Sequence, residues 1–158
     1  MERLPAAACL LLCLALGGCA AVKSAGQWLG LLPLNPLREV QISAAADANG
    51  SSATQLDIVW VLDATAQAQL PKTGPQWFAA KAALLAGRSS ELLVLHLEVP
   101  VGSTVQSLTL PAGHDQALAV LVYPNYIGPG GQAMGTVTGF RCVRIELAAA
   151  TVDYRSCP

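Results

Sequence analysis

Leu56-Asp57-Ile58-Val59-Trp60-Val61-Leu62-Asp63 is the stretch that decides the fold class. It is rich in β-branched and aromatic residues, and it reads as a strand. Asp57 and Asp63 are taken as its solvated ends. Upstream, Arg38-Glu39-Val40-Gln41-Ile42-Ser43 alternates polar with apolar, the period of a half-buried strand. Between the two lies Asp47-Ala48-Asn49-Gly50-Ser51-Ser52. Asn-Gly readily adopts positive φ, so this segment is expected to turn the chain.

Downstream, one helix interrupts the strands. Gly74-Pro75 precedes residues 76–86 and Gly87 follows them, which suits a helix opened by proline and closed by glycine. Trp77 and Leu84, like Phe78 and Leu85, are seven residues apart and share a face, which is expected to pack on a sheet. Further strands are read at residues 91–99, 105–110, 117–123 and 140–147, with a short one at 151–154. Residues 124–135, rich in glycine and proline, form a long loop. Several short strands and a single helix predict a mainly β protein, one β-sandwich with one inserted helix. A parallel α/β sheet would need more crossover helices.

The amino-terminal residues divide like an export signal. Residues 4–16 carry no charge, and the run is too short to span a bilayer, which takes about 20 residues. It has the length of the apolar region of a cleavable signal. Leu16-Gly17-Gly18-Cys19 then matches a bacterial lipobox, so cleavage before Cys19 and acylation of its thiol are expected. Acyl chains contribute about 0.8 kcal/mol per buried methylene and together form a firm membrane anchor. The expected organisation is a signal over residues 1–18, a lipidated tether over 19–37 and a β-sandwich domain over 38–158. In enterobacterial lipoproteins an aspartate after the acylated cysteine favours the inner membrane, and Ala20 at that position implies, by this resemblance, the outer membrane.

Cys142 and Cys157 remain as one pair in an oxidising compartment, and a disulfide is expected. Closing a loop of that length stabilises a fold by roughly 3 kcal/mol in the chain-entropy model. The formal net charge is −1, with acids and bases scattered, so no nucleic-acid partner is expected. His96 sits within a strand, and His114-Asp115 lies in a turn. No Gly-x-Ser-x-Gly, His-Glu-x-x-His, phosphate-loop or EF-hand pattern occurs. The reading is therefore of a protein that is not an enzyme, with no cofactor, metal or small-molecule substrate.

The order of parts resembles the outer-membrane lipoprotein of type VI secretion systems, the TssJ family. A lipobox and short tether lead into residues 40–50, then into the strong strand at 56–63. An aromatic-rich helix and a run of antiparallel strands follow. The family commonly shows Asn-Pro-Asp in the first loop, where this chain has Asp47-Ala48-Asn49-Gly50, and Arg and Tyr in the second strand, where it has Ile58-Val59-Trp60. The resemblance implies a transthyretin-like sandwich and a scaffold role, anchored to the outer membrane and bound to the periplasmic domain of TssM. Carried over by position, Asp47, Asn49, Gly50 and Ser51 become the candidate contact residues. The alternative is a different periplasmic binding module that holds its partner through the loop at residues 126–135.

Overall fold

The computed structural model describes residues 35–128 and 130–158. The expected export signal, Cys19 and the expected tether up to residue 34 lie outside the described residues. Within them the strands are β1 (Glu39–Ala44), β2 (Thr54–Val61), β3 (Leu92–Val99), β4 (Thr104–Val105), β5 (Ala119–Asn125), β6 (Gly135–Thr136), β7 (Cys142–Leu147) and β8 (Val152–Ser156). They form two four-stranded sheets, ordered β4-β1-β7-β8 and β3-β2-β5-β6. The helices are α1 (Ala64–Gln69) and α2 (Gly74–Gly87).

Strand alternation explains how the sheets stack. In β1 the side chains of Val40, Ile42 and Ala44 face inward, and in β7 those of Val143, Ile145 and Leu147 do. Opposite them, Leu56, Ile58 and Trp60 of β2 and Val120 and Val122 of β5 complete the core between the sheets. The other face of the second sheet is apolar as well. Val59, Val61, Leu121 and Tyr123 pack there with Ala66, Leu70 and Trp77 from the helical segment. A sheet covered on both faces has strands that read as continuous apolar runs, which is why β2 looks as it does. The first sheet turns Gln41, Arg144 and Glu146 outward and leaves that face polar.

Helix α2 is held close to its sheet. Thr73 caps it, its hydroxyl oxygen accepting the Gln76 N–H at 3.4 Å. A Cβ on Gly74 would lie 1.9 Å from the Pro124 carbonyl oxygen, so only glycine lets the helix start against β5. Trp77 is fully buried and stacks on Tyr123 with ring centroids 4.7 Å apart. The disulfide is present between Cys142 and Cys157, with Cα atoms 5.5 Å apart, and it ties the end of β8 to the start of β7.

Several expectations need correction. A second helix, α1, follows β2 directly. Asp63 is its N-cap and not a solvated strand end, because its carboxylate accepts the Ala66 N–H at 2.8 Å. Asp57 is not a strand end either; it lies inside β2 and is fully buried. Of the expected strand at 105–110 only Val105 pairs, forming with Thr104 the short β4 against Ile42 and Ser43 of β1. Leu108 and Leu110 keep their packing against the core while the backbone leaves the sheet. Alternation reports which side chains face inward, and it does not by itself show that the backbone pairs. The pairing is not purely antiparallel, since β1 and β7 run parallel from Glu39↔Cys142 to Ala44↔Leu147. The domain also begins earlier than residue 38. Asn35 and Leu37 are fully buried, and the Asn35 N–H donates to the Asp115 carbonyl at 3.0 Å.

All three tyrosines of the chain, Tyr123, Tyr126 and Tyr154, are held in these packed regions. Burial raises each phenol, and Tyr126 is pushed up to about 12. The unfolded chain ionises its tyrosines near pH 10. The folded state therefore keeps protons that the unfolded state loses, and stability falls as pH rises above about 10. In an alkaline titration, phenolate absorbance should rise together with the loss of circular dichroism. Full tyrosine ionisation near pH 10 with the fold intact would contradict this.

Candidate partner-binding surface

The parallel pairing of β1 and β7 sends both strands out at one end of the sandwich. There β1 leads into residues 45–53 and β7 into residues 148–151. Because β2 is antiparallel to both β3 and β5, residues 100–103 and the loop after β5 emerge at that end too. The opposite end receives the incoming chain at Asn35 and carries the disulfide.

Residues Ala48–Ser51 form a tight helical turn. Asn49 (φ 49°, ψ 44°) and Gly50 (φ 61°, ψ 39°) are left-handed within it, and Ser51 also has positive φ (61°). This is the conformation that Asn-Gly favours. Asp47, Gly50 and Ser51 are exposed. Asn49, expected among the contact residues, is 1% exposed. Its Oδ1 accepts the Ile127 N–H at 2.8 Å, and its Nδ2 donates to the Ala53 carbonyl at 3.2 Å. A satisfied buried amide positions its neighbours. Here it fastens the turn to the chain leaving β5.

The third loop is fastened in the same way. The Asn49 and Gly50 N–H groups donate to the Ala148 and Ala149 carbonyls at 3.2 and 3.3 Å. The Tyr126 hydroxyl donates to the Ala148 carbonyl at 2.9 Å, and Gln132 Nε2 donates to that of Ala150 at 2.6 Å. The loops thus enclose a groove of about 350 Å³ lined by Asn49, Gly50, Tyr126, Ile127, Ala149 and Ala150, among others. A larger hollow of about 420 Å³ lies at the other end, beside the disulfide, between Glu39, Arg141 and Arg144. It is a shallow meeting of opposite charges on the open sheet face, so the loop end is the better candidate.

A second polar cluster was not foreseen. The Asp57 carboxylate accepts from Trp77 Nε1 at 2.8 Å, Lys81 Nζ at 2.7 Å and His96 Nδ1 at 2.5 Å. A carboxylate only accepts, so the His96 proton sits on Nδ1. The cluster joins α2 to β2 and β3, and its chemistry is that of a clamp. A single sign was present in the sequence: a lone acid amid an apolar strand, with lysine and tryptophan in the helix that follows. Among the described residues no group of three or more His, Cys, Asp or Glu could hold a metal ion. None of their helices is long and apolar enough to cross a membrane.

The same architecture occurs in solved structures. The T6SS lipoprotein TssJ1 from Pseudomonas aeruginosa superposes with a TM-score of 0.56 at 14% identity, over 76% of this chain and 95% of that one. The chain has a TssJ-like fold. Lip from Serratia marcescens, a membrane-bound component of the type VI secretion system, gives a TM-score of 0.57 at 11% identity, over 76% and 96% of the two chains. A chain of a type VI membrane complex gives 0.52 at 15%, with the same shares. No protein-family model matches the sequence, and no curated protein matches it. The TssJ-like fold is thus kept on a sequence that shares few residues with these neighbours. A sandwich core asks for inward-facing apolar side chains of suitable volume more than for particular residues.

Proposed function

We propose that this chain is an outer-membrane lipoprotein, held by acylated Cys19, that helps assemble a type VI secretion membrane complex by binding the periplasmic part of TssM. The observation that carries the reading is the TssJ-like fold, which presents Asp47, Gly50 and Ser51 at the end of the sandwich away from the incoming chain. Asn49 serves the contact indirectly, by holding the turn in its left-handed shape.

The test measures binding of the lipidated full-length protein, in detergent micelles, to the periplasmic domain of TssM from the same organism. Asp47→Arg combined with Ser51→Arg changes two exposed side chains and should leave the melting temperature unchanged. Affinity is expected to fall about tenfold or more, the effect of placing repulsive charge within a contact. Removal of residues 47–52 should abolish binding. Unchanged affinity in both variants would rule this loop out as the contact.

A further inference from the structure

Hydrogen bonds across the loop end make one surface of two segments 78 residues apart. Ile127 stands at its centre. It is 71% exposed, against 42% for Leu118 and 37% for Val101, the other exposed large apolar residues among those described. An isolated exposed apolar side chain is ordinary on a protein surface, and Ile127 differs in lining a groove together with Tyr126, Ala149 and Ala150. Its position is fixed as well: its N–H is bonded to the buried Asn49 Oδ1, and Tyr126 beside it is anchored through its hydroxyl. A pre-formed contact loses little entropy on binding. Gly50 lies close to Ile127, since a Cβ there would be at ordinary contact distance, 3.4 Å, from Ile127 Cδ1.

We propose that the groove beside Ile127 receives an uncharged, apolar side chain from the partner, with Ile127 as the principal contact. This rests on the reading of the loop end as the partner-binding surface. The charge pattern selects the occupant. Among the described residues no ionisable carboxylate, amine or guanidinium lines the groove, so a charged group entering it would be desolvated without a counter-ion. Exposed Asp47 lies in the adjoining turn and favours a basic residue next to the inserted apolar one.

Three variants of the lipidated full-length protein test this against the TssM periplasmic domain. Ile127→Asp replaces the proposed contact, Ala149→Arg places a long charged side chain at the groove, and Leu118→Asp alters an exposed apolar residue at the opposite end. Both groove variants should weaken binding by about 30-fold or more, the loss that marks a dominant interface residue. Leu118→Asp should bind like wild type, and all three should melt like wild type. If either groove variant melts normally and binds within about threefold of wild type, well below one tenfold step in affinity, the groove is not the contact. The loop reading would then still stand on the Asp47 and Ser51 variants. If the wild-type protein itself fails to bind the domain, the reading of the partner falls, and this inference falls with it.

Discussion

Trp77→Ala should lower the stability of the domain by about 4 kcal/mol, within the range for truncating a fully buried tryptophan. The side chain is 0% exposed and touches three elements at once. Its ring stacks on Tyr123 at 4.7 Å, and its Nε1 donates to Asp57 at 2.8 Å. It is also the one large side chain of α2 that is fully buried. Phe78, Leu84 and Leu85 are only partly covered and cannot hold the helix alone. Alanine would leave a cavity between helix and sheet and a carboxylate short of one donor. Trp77→Phe would keep an aromatic ring against Tyr123 and lose the N–H, so it should cost less than half as much. Urea unfolding of the three proteins measures this. A loss below about 1 kcal/mol for the alanine variant, typical of a minor core trimming, would show that α2 does not depend on Trp77.

Asp57→Ala should cost about 3 kcal/mol, the lower end for removing one partner of a buried charge cluster. The lower end applies because the side chains of Lys81 and His96 are 24% and 49% exposed and can turn to water. Trp77 cannot, and its N–H would stay buried without a partner, which is where most of the loss arises. Asp57→Asn separates the two contributions. An amide oxygen can still accept from Trp77 but no longer attracts Lys81. This variant is therefore expected to retain more than half of the lost stability. If Asn and Ala variants unfold at the same urea concentration, the charge and not the tryptophan bond holds the helix down. A Lys81→Met variant should then match them; otherwise it should lie near wild type.

Much of the fold was legible because local chemistry encodes it. β2 declares itself by composition, and α2 by Gly74-Pro75 at its start and Gly87 at its end. The Asn49-Gly50 turn does so through backbone conformations that few other residue pairs tolerate. Cys142 and Cys157 form the disulfide expected of them as a remaining pair. Helix α1 was overlooked, although Asp63 followed by alanine and glutamine is a recognisable helix start. The extended strand reading at 105–110 failed because alternation is also produced by a segment that packs without pairing.

The candidate surface was legible only in halves. Residues 47–51 and the loop after β5 each stood out, and they stood as alternatives. Nothing in a one-dimensional pattern says that the Asn49 side chain meets the Ile127 backbone, or that it is buried in doing so.

The sequence alone determined that residues 56–61 form a strand between a left-handed turn and a helical segment. That follows from propensities and spacings confined to a few neighbours. It did not determine which side of the strand Asp57 would take. Leu56, Ile58 and Trp60 face the other sheet, while Asp57, Val59 and Val61 face the helices. Register with β3 and β5 makes that choice, pairing Asp57 with His96 and Tyr123, and a slip of one residue would reverse it. The same registers bring the loops after β1, β5 and β7 to one end. Tertiary structure decided both, because pairing between distant strands depends on how all the apolar faces can be buried together.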